Sequence, residues 1–217
     1  MDIFDLPYNT IVQKFVAKSH FDSVTNTKQK AMFTNDIAKI IWCNTLSVET
    51  TNLPHKEIEE IQIFNIELKE QKEQKEIKSI LEIIDKAIPY HIVFVVSFQD
   101  KVYLSASAKH PSPLNDNKSV IDWIYTSPWF SKTENRYTIT LKKEIDAVFF
   151  EFCQQLSVKS NRSIKNISDL SAYNSKINSL TKEIEQLKKK ISSCQQFNKK
   201  AELNLKLNSL EQELNSI

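Results

Sequence analysis

Glu67-Leu68-Lys69 comes nearest to catalytic spacing in this 217-residue chain. Residues two apart on a strand project to the same face, so a carboxylate and an ammonium would stand side by side. PD-(D/E)xK nucleases use such a pair, with a carboxylate from a neighbouring strand, to hold Mg²⁺ and activate water. If Ile40–Leu46 and Glu60–Lys69 pair as a hairpin centred near Leu53, Glu67 falls opposite Lys39 and close to Asp36. Asp36, Glu67 and Lys69 are therefore the catalytic candidates, and Mg²⁺ enters only with this reading. Against it, no PD dipeptide is present. E-x-K also arises by chance among 27 acidic and 29 basic residues, which favours a solvent-facing charge pair.

Other chemistry is thinner. His20, His55, His91 and His110 lack metal-ligand spacing, and Cys43, Cys153 and Cys194 are far apart with no CxxC pair. No metal site is expected, and the sparse cysteines fit a reducing cytosol. Glu57, Glu59 and Glu60 read as a solvated strand entrance. Trp123, Tyr125, Trp129, Phe130 and Tyr137, interleaved with Lys132 and Arg136, offer rings for stacking on single-stranded nucleic acid; core packing is the simpler role. The chain contains no glycine. That excludes the P-loop and the dinucleotide fingerprint, whose backbones need conformations other residues resist.

The elements that must position these residues follow from periodicity. Hydrophobic content of 41% and charged content of 26% suit a globular chain. No apolar run is long enough to span a bilayer, and the acidic start MDIFDLPYN lacks the plan of a secretory signal, so a cytoplasmic protein is expected. Residues 1–26 are mixed, and Lys28–Asp36 is a short helix. Strands are expected at Ile40–Leu46, Glu60–Lys69, His91–Phe98, Val102–Lys109, Val120–Tyr125 and Tyr137–Leu141. The run KEQKEQKE reads as the solvated first turns of a helix carrying Ile77, Ile80, Leu81 and Ile84 on one face. Gln99-Asp100-Lys101 is a tight turn, and HPSPLNDNK a proline-bearing loop. A helix over Glu144–Leu156 buries Ile145, Val148, Phe149, Phe152 and Leu156. The fold class is α+β: a mixed, mainly antiparallel sheet with flanking helices over residues 1–157.

Residues 158–168 read as a linker, and 169–217 as a helical hairpin or coiled coil. Leu170, Tyr173, Ile177, Leu180, Ile184, Leu187, Ile191 and Cys194 follow alternating three-and-four spacing. Leu203, Leu207, Leu210, Leu214 and Ile217 repeat it in a shifted phase; continuing the first register would reach Asn198, Ala201 and Leu205. A turn around Ser192–Asn198 accounts for the offset better than a stutter, whose shift is three or four residues. The expected hairpin has helices of roughly 28 and 19 residues, about 40 and 30 Å long. From Val158 onward, 11 Lys+Arg face 6 Asp+Glu, a net of +5, against 18 and 21, a net of −3, before it; the two sum to the chain's +2. A basic tail suits nucleic acid or an acidic protein surface, with Lys188, Lys189, Lys190, Lys199 and Lys200 as nucleic-acid contacts. The partner-binding candidates are Ile177, Leu180, Ile184, Leu187, Ile191, Leu203, Leu207, Leu210 and Leu214.

FTNDIAKIIWCNTLSVETTNL, EIEEIQIFNIEL, IDKAIPYHIVFVV and CQQFNKKAELNLKLNSLEQEL together resemble a prokaryotic family catalogued as domain of unknown function four-three-nine-one. The likeness spans nearly the whole chain and is most specific at QFNKKAELN. Where that family carries a basic segment with proline after its first helix, this chain has IVQKFVAK, with Lys14 and Lys18 and no proline. The resemblance implies genes lying beside helicases and DNA methyltransferases in defence loci, hence an antiphage or restriction-like accessory role. It implies no catalytic residues. The expectation is a non-catalytic adaptor without a cofactor, binding a helicase or methyltransferase, and in addition itself or nucleic acid, through the hairpin. The alternative is a small Mg²⁺-dependent nuclease using Glu67 and Lys69.

Overall fold

The computed structural model describes residues 3–113, 115–134, 136–157 and 163–217, with the backbone alone for 115–118. Contacts divide the chain into two units, Met1–Ser168 and Asp169–Ile217. In the first, a sheet of β1 (Ile11–Phe15), β2 (Ile37–Leu46), β3 (Ile61–Leu68), β4 (His91–Phe98), β5 (Lys101–Ser112) and β6 (Asn115–Thr126) runs in chain order, and the short β7 (Phe130–Ser131) pairs with β5. Among the described residues only β3 and β4 pair in parallel, across the helix α3 (Gln74–Ala87); the other pairings are antiparallel. This is the expected α+β class.

Helices line both faces. Ile77, Ile80, Leu81 and Ile84 of α3 and Phe33 of α1 (Thr27–Asp36) are buried in one cluster with Ile40, Phe64, Ile66, Ile92, Phe94, Val96 and Tyr103. Each such side chain contributes about 1.5–3 kcal/mol by leaving water. The opposite face, with Ile63, Val93, Val95, Val102, Leu104 and Ala106 buried, meets α4 (Ile145–Leu156), whose Phe149 ring stands 4.7 Å from that of His91.

Several sequence expectations need correction. Helix α3 starts at Gln74, so most of KEQKEQKE precedes it. The cause is a capping box in which the Glu73 and Glu76 side chains satisfy the first backbone N–H groups. Tyr137–Leu141 is not a strand: the Thr138 N–H and carbonyl bond to the Gln155 carboxamide at 3.0 and 2.8 Å, satisfying that backbone from a helix. Within HPSPLNDNK, β5 continues to Ser112 and β6 begins at Asn115, paired through two register shifts. Pro111 is tolerated there because β4 pairs with β5 only as far as Ala106. The first segment, read as mixed, holds the edge strand β1.

With no glycine, Asp5, Gln13, Asn52, Gln99 and Lys143 take positive φ among the described residues. Asn52 ends the short α2 (Val48–Thr51) with its N–H on the Val48 carbonyl. Asparagine tolerates that left-handed conformation; Gln99 and Lys143 do so at a cost.

In the second unit, α5 (Ile167–Ser193) and α6 (Phe197–Ser216) are joined by residues 194–196 and bridged along their length. Lys176–Glu213, Lys188–Glu211 and Lys206–Glu183 form ion pairs at 2.9, 2.8 and 2.7 Å, and the Tyr173 hydroxyl donates to the Ile217 carbonyl. So short a connection between bridged helices makes a hairpin. Residues 158–162 of the expected linker lie outside the described residues.

Candidate functional site

The register between β2 and β3 sets Lys39 directly opposite Glu67, and their charged ends lie 3.8 Å apart. The Lys69 N–H donates to the Asp36 carbonyl at 2.9 Å, so the backbones of the three catalytic candidates meet where α1 passes into β2. Their side chains take other partners. The Asp36 carboxylate pairs with Lys72 at 3.1 Å, and the Lys69 ammonium donates to the Thr34 carbonyl at 2.7 Å. Lys18 donates to the Ile37 carbonyl at 2.5 Å, so two ammonium groups cover the negative end of α1. Burial, aided by the Lys69 charge, pulls the Lys18 pKa down, while hydrogen bonds to Glu70 and Asp36 push that of Lys72 up. The result is four lysines, Lys18, Lys39, Lys69 and Lys72, around three carboxylates, Asp36, Glu67 and Glu70, an arrangement that ties a helix end to the sheet. Among the described residues no three His, Cys, Asp or Glu side chains are grouped as a metal would need.

Sequence reading missed a buried polar group at the opposite ends of β4 and β5. The Lys109 ammonium reaches Asp85 Oδ1 at 2.9 Å, the Asp85 carbonyl at 2.7 Å and the Ile88 carbonyl at 2.8 Å, using all three donors at the end of α3. Burial drives the Asp85 pKa up and the Lys109 pKa down, against their mutual attraction. Burial, with the Lys109 charge, also lowers His91 to about 4. The Cys153 thiol is fully buried and pushed well up by desolvation, so it is an inert thiol. One signal was available: Asp85 lies four residues after Leu81 on the apolar stripe of α3, and Lys109 lies with Tyr103 on the face of β5 that this helix covers, so each charge needs a buried partner. A second anchor is Asp146, whose carboxylate accepts the N–H groups of Lys56, Glu57 and Ile58 at 2.8, 2.9 and 3.1 Å. Burial raises its pKa, but those three bonds, with one from its own backbone N–H, outweigh it and hold the carboxyl below its usual range.

Of the aromatic and basic residues near β6 and β7, Trp123, Trp129 and Tyr137 are half-buried, and Arg136 is exposed beside Glu134. Tyr125 and Phe130 are buried, Trp129 stands edge-on to Tyr103 at 4.7 Å, and Phe130 meets Tyr137 at 5.3 Å. Lys132 donates to the Gln99 carbonyl. These contacts engage Trp129, Phe130 and Tyr137 in packing within the body.

In the hairpin, Leu180, Ile184 and Leu187 of α5 are buried, and Ile177 and Ile191 half-buried. Helix α6 buries none of its residues. Leu203, Leu207, Leu210 and Leu214 are half-buried, and Leu205 is 72% exposed. Lys189, Lys190, Lys199 and Lys200 are exposed around the turn with no ion-pair partner among the described residues, whereas Lys188 is held by Glu211.

No helix among the described residues is long and apolar enough to cross a membrane. Neither a curated protein nor a solved structure matches the chain. The model of a family described as a domain of unknown function (DUF4391) matches residues 4–214, so nearly the whole chain, body and hairpin alike, belongs to that family.

Proposed function

We propose that this protein is a non-catalytic accessory subunit of a prokaryotic DNA-acting complex of antiphage or restriction-like type, and that its helical hairpin docks a helicase or DNA methyltransferase. One observation carries the reading: α6 has the spacing of a coiled-coil seam yet buries none of its leucines. Two helices shield only part of each other's apolar stripe, and a third helix laid along Leu203, Leu207, Leu210 and Leu214 would complete the burial. A second copy of the hairpin could supply that helix as a self-dimer. The DNA-acting class of partner comes from the family resemblance, and the tail's net +5 suits work beside nucleic acid. The setting is the cytoplasm. The experiment is co-expression with a DNA helicase and with a DNA methyltransferase of the same host. Leu207→Asp with Leu210→Asp should lose the complex, with the body's unfolding temperature unchanged; retention of the complex would sink the proposal.

A second reading rests on the backbone meeting of Asp36 and Lys69 beside Glu67. If Lys39, Lys72 and the Thr34 carbonyl released their partners, Asp36, Glu67 and Lys69 would supply a Mg²⁺-dependent nuclease site. Those bonds argue for the adaptor. DNA cleavage that needs Mg²⁺ and disappears in Glu67→Ala would decide for the nuclease.

A further inference from the structure

Helix α6 begins against the rules that stabilise helix starts. Its N-cap, Gln196, makes no side-chain capping bond, and no acidic residue lies in its first turn. Lys199 and Lys200 stand there instead, where the positive end of the helix dipole repels cations. Phe197, the first helical residue, is 84% exposed, so its ring gains almost nothing by burial. Across the turn, Lys188–Lys190 lie near the end of α5, where the dipole favours them, so helix stability accounts for those three and not for the α6 pair. Between Glu185 and Glu202 the tip carries five lysines against those two carboxylates, a net of +3. Local rules broken together without a structural gain mark a functional surface.

We propose that the hairpin tip binds single-stranded nucleic acid, with an unpaired base stacked on Phe197 and the neighbouring phosphates held by Lys189, Lys190, Lys199 and Lys200. A lone exposed ring amid unpaired ammonium groups supplies the two interactions that sequence-tolerant single-strand binding uses. Paired bases keep their faces inside the stack, so the ring selects single strands over duplex. The site goes beyond the partner-docking reading and uses none of the leucines on which that reading depends.

The test is fluorescence anisotropy of the full chain with a labelled oligothymidylate and with a blunt duplex, over a series of salt concentrations. Tighter binding of the single strand is expected. Phe197→Ala should weaken it about tenfold or more, as loss of one stacked base does. Lys199→Gln with Lys200→Gln should flatten the slope of log affinity against log salt by about 1.4, roughly 0.7 for each phosphate contact released. These residues are exposed, so helicity should be unchanged. Absence of saturable single-strand binding at low salt, affinity unchanged in Phe197→Ala, or equal affinity for duplex would each overturn the proposal. Partner docking would be untouched by any of these results.

Discussion

Asp85 and Lys109, from α3 and β5, form an ion pair 2.9 Å apart in which each side chain is only 1% exposed. Two charges removed from water cost several kcal/mol each, and their attraction offsets this only when every donor is bonded. All three donors of Lys109 are used, two of them on carbonyls at the end of α3. The pair therefore fixes α3 against β5 by mutual dependence. Either Asp85→Leu or Lys109→Met alone should lower stability by about 3–5 kcal/mol, because one buried charge loses its partner. The double variant Asp85→Leu with Lys109→Met should recover most of that loss. Denaturant unfolding of the four proteins checks this, and additive single losses would refute the coupling.

His91 adds a pH dependence. Its ring is free to titrate near 6.5 in the unfolded chain and at about 4 in the folded one, chiefly because burial disfavours the charged form. Stability from keeping the ring neutral is fully present above pH 6.5 and is lost as pH falls toward 4, since the unfolded chain binds the extra proton. The unfolding temperature of the wild type should fall through that window, and that of His91→Gln should fall less. Parallel curves would show that the ring does not contribute.

The turn between β4 and β5 takes positive φ at Gln99, the first of its two loop residues. With Asp100 absent from the positive-φ set, this is the arrangement that type II′ turns reserve for glycine. Gln99→Gly should raise stability by about 0.5–1 kcal/mol, the relief of a Cβ clash of roughly 1–2 kcal/mol less glycine's extra backbone entropy. Unchanged or lower stability would mean that the flexibility gained by the unfolded chain cancels the relief.

How far the sequence could be read depended on whether a residue's partner was local. The α3 stripe of Ile77, Ile80, Leu81 and Ile84 and the Lys39–Glu67 register followed from period and loop symmetry, and the break between α5 and α6 from a phase shift. Strand β1 escaped notice because its edge position leaves four of five residues exposed and erases the alternation. Tyr137–Leu141 kept an alternating pattern while Gln155, a residue of α4, took its backbone bonds. In the candidate catalytic group the residues could be placed near one another, but not which lysine each carboxylate would hold. That choice lies in long-range side-chain geometry: Lys72, not Lys69, reaches Asp36.

The start of α6 should trade stability for binding. Lys199→Glu with Lys200→Glu places favourable charge at the helix N-terminus and should stabilise the hairpin by about 0.3–1 kcal/mol per residue. The same change should abolish binding of the labelled oligothymidylate. A hairpin destabilised by the exchange would show that the two lysines support the helix.

On the proposed function, the hairpin binds the partner and the Asp36–Glu67–Lys69 group does not. Size-exclusion chromatography with light scattering on the co-expressed helicase or methyltransferase tests it most directly. Wild type and Glu67→Ala should form the same complex, while a chain ending at Ser168, the boundary of the first unit, should elute alone with its fold intact. A complex retained by the shortened chain, or lost in Glu67→Ala, would contradict the claim.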